Sequence, residues 1–158
     1  MGLEIERKFL VTSDAWRAQA TGSVALEQGY LARSSGVSVR VRIHDRSSAF
    51  LTLKSGGQAL TRAEYEYAIP VADARELMAL CQPNVIVKRR HLVPAGDLTW
   101  EVDVFEGRHE GLVLAEIELD AADRKIGLPD WIGAEVTGDE RYYNAVLADR
   151  AWTGLTLT

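Results

Sequence analysis

The sequence predicts an all-β or α+β fold built on eight strands that are mostly antiparallel. One observation is that eight stretches alternate apolar and polar residues with the period of two that a strand requires. Another is that one face of almost every stretch carries ionisable side chains, whereas the opposite face is mainly Val, Ile, Leu, Tyr and Trp. The strands are predicted over residues 2–11, 26–31, 37–43, 50–54, 62–69, 85–93, 100–104 and 113–119.

The first strand sets the pattern. Glu4, Glu6 and Lys8 share one face, and the other face is largely apolar. Neighbours on one face of a strand lie roughly 6.5–7 Å apart, so both carboxylates could share one divalent ion, directly or through its waters.

The later strands repeat this arrangement of charge. In residues 37–43, Val and Ile alternate with polar side chains. The charged face of these later strands is made of Arg40, Arg42, Lys54, Arg62, Glu64, Glu66, Lys88, Arg90, Glu101, Asp103, Glu116 and Glu118.

Helical patterns are short and lie between or after the strands. Asp73 is a candidate N-cap for a helix that Pro83 stops, and Cys81 is predicted to be a buried residue of that helix. A short turn or helix is predicted over residues 15–20, and short helices over residues 120–126 and 139–149. Residues 131–135 are predicted to be a loop or a short strand.

Composition bounds the class of protein. The 158 residues predict one domain, residues 1–158, with 47% hydrophobic and 26% charged residues. A single cysteine fits a reducing cytoplasm and excludes a cysteine-based zinc cluster. The acidic N-terminus is unlike a signal peptide, and no apolar run approaches the ~20 residues of a membrane helix.

Charge and composition also indicate the partners. A net charge of −5 argues against a nucleic-acid-binding surface. We therefore expect a cytoplasmic protein that binds neither nucleic acid nor membrane. The oligomeric state is left open, with a homodimer as one option.

The charged face could belong to either of two arrangements. An open sheet would have helices on its apolar face and water on its charged face, whereas a closed sheet would surround a wet, charged lumen. The pattern favours closure, because an open surface would tolerate more Ser, Thr, Gln and Asn. Closure would also leave no unpaired strand edges.

Such a lumen would suit a compact polyanion with divalent metal. Lys and Arg side chains from four strands exceed what one carboxylate substrate requires, and Arg binds phosphate bidentately. Paired carboxylates are explained if Mg²⁺ or Mn²⁺ bridges them to phosphate oxygens. The sequence has no phosphate-binding P-loop and no nucleophile elbow. His44, His91 and His109 are interpreted as surface or turn residues.

The chain resembles the CYTH family, also called the triphosphate tunnel metalloenzymes. The resemblance begins with Glu4-Ile5-Glu6-Arg7-Lys8 and extends to about residue 147. It continues with Gln28-Gly29-Tyr30-Leu31, Val39-Arg40-Val41-Arg42, Thr52-Leu53-Lys54, Arg62-x-Glu64-x-Glu66, Lys88-x-Arg90, Glu101-x-Asp103-x-Phe105, Glu116-x-Glu118 and Val136-Thr137-Gly138-Asp139-Glu140-Arg141-Tyr142.

The resemblance implies an eight-stranded antiparallel tunnel that binds triphosphates with Mg²⁺ or Mn²⁺. The implied metal-side carboxylates are Glu4, Glu6, Glu116 and Glu118, with Glu64, Glu66 and Asp103 as candidates for a second ion or for orienting basic residues. The implied phosphate-binding residues are Lys8, Arg40, Arg42, Lys54, Lys88 and Arg90, and less directly Arg62 and Arg141. Tyr30 is expected near the tunnel mouth or near Lys88, and both are candidate catalytic residues.

The form of the first motif resembles the short bacterial tripolyphosphatases. We therefore expect a metal-dependent hydrolase that converts inorganic tripolyphosphate to pyrophosphate and phosphate. Lys88 is a candidate base, because Arg42 and Arg90 would lower its pKa; alternatively it only clamps phosphate. The rival functions are a class IV adenylate cyclase, a thiamine triphosphatase and a non-catalytic polyphosphate-binding module.

The positions of the aromatic residues favour an inorganic substrate. Tyr65, Tyr67 and Trp100 fall on the opposite face from the charges and are expected to pack outside the lumen. A lumen without a stacking surface gains little from a base or a thiazole ring.

Overall fold

The strands form one continuous sheet that closes on itself. The computed structural model describes residues 2–34, 36–55 and 61–150. Its strands are β1 (Gly2–Val11), β2 (Gly22–Arg33), β3 (Val37–His44), β4 (Ser48–Ser55), β5 (Thr61–Ile69), β6 (Val85–Ala95), β7 (Leu98–Glu106), β8 (Val113–Glu118) and β9 (Ile132–Glu135). Its α-helices are α1 (Val71–Cys81) and α2 (Asn144–Leu147), and short 3₁₀ helices cover Ala15–Gln19, Gly107–His109 and Glu140–Tyr142.

Closure depends on β1. The strand order is β5-β4-β3-β2-β6-β7-β8-β1-β9, and a further pairing joins β5 to β1. The first half of β1 pairs antiparallel with β5, and its second half pairs antiparallel with β8. An eight-stranded antiparallel barrel results, so the prediction of a closed sheet is confirmed and the open-sheet alternative is wrong.

The ninth strand lies outside the ring. β9 pairs with the end of β1, where Phe9 is opposite Glu135 and Val11 is opposite Ile132. Residues 131–135, predicted as a loop or a short strand, therefore include a strand. Arg7 anchors it through an ion pair of 2.7 Å with Glu135.

The apolar face of the barrel points outward and is covered by helices and loops. Helix α1 packs on β2, β3 and β4, where Cys81 is buried as predicted. Trp16 of the first 3₁₀ helix joins Phe9, Trp100 and Trp131 in a second apolar cluster. None of the described helices is both long and apolar enough to span a bilayer.

Two helix predictions are wrong. Residues 120–123 form a bend and a turn, and residues 124–126 have no regular structure. Arg124 pairs with Asp120 of the bend and with Asp97, which lies between β6 and β7. Residues 139–149 do not form one helix, because Tyr143 is extended and separates the 3₁₀ helix Glu140–Tyr142 from α2. This break directs the side chains of residues 142–144 differently from those of a continuous helix.

Candidate active site

The lumen contains two adjoining cavities that differ in charge. The smaller, the basic cavity, has about 60 Å³, and its described lining includes Lys8, Arg40, Lys54, Arg62 and one glutamate. The larger, the acidic cavity, has about 290 Å³, and its described lining includes seven glutamates and four Lys or Arg residues. The charges predicted to share a face thus meet inside the barrel, as the closed arrangement requires.

Neutral side chains orient the two arginines of β3. Arg42 Nε donates to Gln28 Oε1 at 2.8 Å, and Arg40 Nη2 donates to Thr52 Oγ1 at 3.3 Å. Burial, together with the neighbouring Arg40 and Arg90, lowers the pKa of Arg42. An anion bound beside this pair would relieve that cost.

Lys54 and Lys8 link the basic cavity to carboxylates. Lys54 Nζ lies 2.8 Å from Glu4 Oε2 and 3.6 Å from Glu64 Oε2. Burial opposes ionisation of Glu4, but Lys54 holds the pKa of its carboxyl below the usual range. Lys8 Nζ lies 3.6 Å from Glu116 Oε1. Both lysines therefore link the lining of the basic cavity to carboxylates that line the acidic cavity.

Lys88 belongs to a buried network at the wall of the lumen. Its Nζ lies 2.7 Å from Asp103 Oδ2 and donates to Asn144 Oδ1 at 2.9 Å. Arg90 binds both oxygens of Asp103, at 2.8 and 2.9 Å. Burial lowers the pKa of Lys88 to about 7, with Arg90 and Arg42 adding to the shift and Asp103 opposing it. The sequence predicted a lowered pKa for Lys88 from its arginine neighbours. The structure shows that burial of the lysine is the main cause.

The carboxylates of β1 and β8 are adjacent. Glu6 pairs with Glu118, and Lys8 pairs with Glu116, in the antiparallel register of the two strands. Burial, followed by the charges of Glu116 and Glu4, raises the pKa of Glu6 well above its ordinary 4.5. Glu116 is also buried, but Lys8, Arg90 and Lys88 hold its pKa well below that value.

This donor set fits a hard divalent cation. Carboxylate oxygens are the ligands that Mg²⁺ and Mn²⁺ prefer. Burial first, and then the charges of Glu116 and Glu4, raise the pKa of Glu6, and a bound cation would favour its ionised form. Within the described residues, no three Asp, Glu, His or Cys side chains are close enough to hold an ion alone. Mg²⁺ is usually held by one or two carboxylates and completed by substrate phosphates, which agrees with this arrangement.

Of the other predicted carboxylates, Asp103, Glu64 and Glu66 already have basic or hydroxyl partners. Asp103 is saturated by Arg90 and Lys88. Glu66 accepts from Thr52 Oγ1 at 3.2 Å and is 43% exposed. Glu64 and Glu118 both have a raised pKa, for which burial is the first cause and Glu4 contributes.

Several residues of the basic cavity were missed in the sequence. Tyr143 and Asn144 line it together with Tyr30, whose hydroxyl accepts from Gln28 Nε2 at 3.4 Å. Arg62 lies over the ring of Tyr143, with its Cζ 4.9 Å from the ring centroid. Strand periodicity could not find Tyr143 or Asn144, because neither belongs to a strand.

Two sequence interpretations do not match the structure. Arg141 is exposed and binds Asp139 at 2.6 Å, and it lines neither lumen cavity. His109 is completely buried, and its Nε2 is bonded to the carbonyl of Leu147. It was predicted at the surface because a lone histidine in a turn carries no sequence signal of burial.

The prediction that Tyr65, Tyr67 and Trp100 pack outside the lumen is correct, but it does not cover every ring near the lumen. Trp100 is buried in the outer core, and Tyr65 and Tyr67 are exposed on the outside of the barrel. Tyr30 and Tyr143 nevertheless bring rings to the basic cavity. The ring of Tyr143 already packs against Arg62, which limits its use as a stacking surface for a ligand.

The fold and site define a closed antiparallel β-tunnel whose charged lumen suits a compact polyanion. The CYTH domain family matches residues 2–143, and the chain belongs to this family.

Relatives and a solved structure match over most of the chain. An inorganic triphosphatase of Acetivibrio thermocellus is 47% identical over 148 residues, which are 93% of this chain and 94% of that protein. An inorganic triphosphatase of Nitrosomonas europaea is 40% identical over 92% of this chain and 96% of that protein. The crystal structure of the inorganic triphosphatase NE1496 is 36% identical, with a TM-score of 0.67 and coverage of 97% and 99% of the two chains.

Proposed function

We propose that this chain is a divalent-metal-dependent triphosphatase that hydrolyses inorganic tripolyphosphate to pyrophosphate and phosphate, acting as a single domain in the cytoplasm. The observation that carries the proposal is the contact between a basic cavity and a carboxylate-rich cavity inside one closed barrel. Two relatives at 47% and 40% identity are inorganic triphosphatases, which supports the same activity here.

The basic residues of the lumen hold the phosphates. Thr52 and Gln28 orient Arg40 and Arg42 through neutral hydrogen bonds, which leaves other N–H groups of both guanidiniums for an anion. Glu66 lies 4.0 Å from Arg40 Nη2 as its acidic neighbour. Lys8 and Lys54 act as point charges. Arg62 binds the polyphosphate at the edge of the basic cavity, and the ring of Tyr143 packs against its guanidinium.

Glu4, Glu6, Glu116 and Glu118 are the residues that would hold the metal. When bound, Mg²⁺ or Mn²⁺ supplies charge neutralisation and activates water for in-line attack. Glu64 and Glu66 are candidates for a second ion. Asp103 is left out of this set, because Arg90 and Lys88 already occupy its oxygens. Instead, Asp103 holds the side chains of Lys88 and Arg90 in place beside the substrate.

Lys88 accepts the proton that water loses. With a pKa of about 7, a large fraction of the lysine is neutral at physiological pH and can serve as a base. Its Nζ is held by Asp103 and Asn144, so the transfer requires the Asn144 side chain to turn aside. The Tyr30 hydroxyl accepts from Gln28, which leaves its own O–H free to donate to a phosphate oxygen.

Product analysis tests this function. The purified chain is incubated with tripolyphosphate in the presence of Mg²⁺, of Mn²⁺ or of a chelator, and pyrophosphate and phosphate are measured. We expect equal amounts of both products with metal and none with the chelator. Cyclic AMP and pyrophosphate formed from ATP would instead identify a cyclase, and tight binding without turnover under either ion would identify a binding module.

A further inference from the structure

Three consecutive residues outside the strands contact three basic residues of the barrel. The carbonyl of Tyr142 accepts from Lys8 Nζ at 2.9 Å. The ring of Tyr143 lies against Arg62, and Asn144 Oδ1 accepts from Lys88 Nζ at 2.9 Å. These cations come from β1, β5 and β6, so one short segment spans three strands of the barrel.

The segment is fixed from behind by the barrel itself. Leu147 and Ala148 are completely buried in an apolar cluster with Ile86 and Phe105. Arg33 donates to the carbonyl of Ala145. Residues 142–144 therefore have a fixed place from which to orient their partners.

All three contacts are made by uncharged groups. A peptide carbonyl, an aromatic face and a side-chain amide can each orient a cation without cancelling its charge. A carboxylate such as Asp103 also orients its partner, but it neutralises it and would repel a phosphate. Lys8 and Lys88 are each already paired with a carboxylate, Glu116 at 3.6 Å and Asp103 at 2.7 Å, so the neutral contacts orient them without cancelling more of their charge.

Asn144 joins Lys88 to the lumen. Lys88 is 1% exposed and lines neither of the two lumen cavities. Asn144 lines both of them, and its Oδ1 is occupied by Lys88, which directs its amide NH₂ away from the lysine. The amide NH₂ can therefore donate to a ligand in the lumen while the amide oxygen accepts from Lys88 Nζ.

We propose that residues 142–144 form a positioning element that holds Lys8, Arg62 and Lys88 through neutral contacts, and that the buried Lys88 acts on a bound polyphosphate through Asn144. The proposal rests on the proposed function, because it takes tripolyphosphate as the ligand of the lumen. It adds Asn144 and Tyr143 to the residues that decide how tightly this ligand is held.

A double-mutant cycle on ligand binding tests the proposal. The dissociation constant of metal-free tripolyphosphate is measured by calorimetry for the full chain, for Asn144→Ala, for Lys88→Met and for the double variant. Hydrogen bonds to charged groups are strong enough that Asn144→Ala should weaken binding about tenfold or more. In the Lys88→Met background, the same substitution should change binding less than about twofold. An equal loss in both backgrounds, or no loss in either, would overturn the inference.

Two further variants separate positioning from folding. Asp149→Asn alters the exposed contact of the same segment with Arg33 and should leave tripolyphosphate binding unchanged. Asn144→Asp keeps an oxygen beside Lys88 but adds a negative charge, so binding should weaken about tenfold or more while the melting temperature is kept or raised. Wild-type affinity in Asn144→Asp would show that neutrality is unimportant.

The same data distinguish this inference from the proposed function. A wild-type chain that does not bind tripolyphosphate contradicts both proposals. A wild-type chain that binds and hydrolyses tripolyphosphate, but whose Asn144 and Lys88 substitutions are simply additive, contradicts only the positioning element.

Discussion

Glu6 is the residue whose charge the lumen opposes most clearly. Burial comes first, and the carboxylates of Glu116 and Glu4 add to it, so its pKa lies well above 4.5. The folded chain therefore binds a proton that the unfolded chain releases. A divalent cation would reverse this preference, because it stabilises the ionised carboxylate.

We predict that the metal-free protein loses stability as pH rises from about 4.5 through the raised pKa of Glu6. Glu6→Gln should remove much of this loss, and Mg²⁺ should reduce it in the wild type. Chemical denaturation across this pH range, with chelator and with Mg²⁺, measures the effect.

The pKa of Glu135 is shifted in the opposite direction from that of Glu6, so its effect on stability has the opposite pH dependence. Its pKa is lowered by the hydrogen bond from Arg7, so the stability that it contributes is lost as pH falls. Identical pH slopes for the wild type and Glu6→Gln, in metal-free buffer, would contradict the interpretation of Glu6.

Lys88 should show a conflict between stability and activity. Replacing it by Met removes a buried ammonium and leaves Asp103 paired with Arg90. We predict that Lys88→Met raises the free energy of unfolding by about 1–4 kcal/mol at pH 7 but lowers the catalytic efficiency at least a hundredfold.

The stability gained in Lys88→Met should depend on pH, because the pKa of Lys88 is lower in the folded chain than in the unfolded chain. The folded chain binds the Lys88 proton less tightly than the unfolded chain, with a pKa of about 7 against 10.5. The gain should therefore be full below pH 7 and disappear as pH rises toward 10.5. Chemical denaturation of the wild type and Lys88→Met at pH 7 and at pH 10 checks this prediction. A variant that is less stable than the wild type at both pH values would contradict it.

At the level of elements, the contact between β2 and α1 depends on Gly29. A Cβ at this position would lie 2.7 Å from Cys81 Cβ and 2.8 Å from Cys81 Sγ. Strand and helix therefore approach each other more closely than any other residue would permit.

We predict that Gly29→Ala lowers the free energy of unfolding by about 1–3 kcal/mol, because the helix must shift away from the strand. Gly22 lies on the same strand, and a Cβ there would meet no atom within 4 Å, so Gly22→Ala is the matched control and should be nearly neutral. Urea denaturation compares the two, and equal effects would show that the close approach is unimportant.

The elements also show what the sequence could predict. Period-two alternation predicted which face of each strand carries the charges that meet in the lumen. The same face also carries Ile86, Phe105 and Leu114, which pack in an apolar cluster with Leu147. Residues 142–144 could not be found in this way, because Tyr143 and Asn144 reach the lumen through the packing of Leu147 on distant strands. Arg141 was chosen instead, since a charged side chain in a matching motif gave a stronger local signal.

At the level of the whole molecule, the barrel concentrates charges that a solvated sheet would disperse. Lys8, Arg40, Arg42, Lys88, Asp103 and Glu116 are all buried although each is ionisable. Burial of so many charges is costly unless they are paired or meet a ligand of opposite charge. The lumen therefore suits a short, dense polyanion better than a ligand with a large apolar part.

The most direct test of this account compares three substrates with Mg²⁺: inorganic tripolyphosphate, ATP and thiamine triphosphate. The ring of Tyr143 is engaged by Arg62, and Tyr65, Tyr67 and Trp100 face away from the lumen. Tyr30 lines the basic cavity, but its hydroxyl is bonded to Gln28, so a base or thiazole meets little ring surface among the described residues. One stacking contact is worth ~1–3 kcal/mol, so the catalytic efficiency should be roughly ten to a hundred times higher, or more, for tripolyphosphate. A clearly higher efficiency for either organic triphosphate would contradict the account.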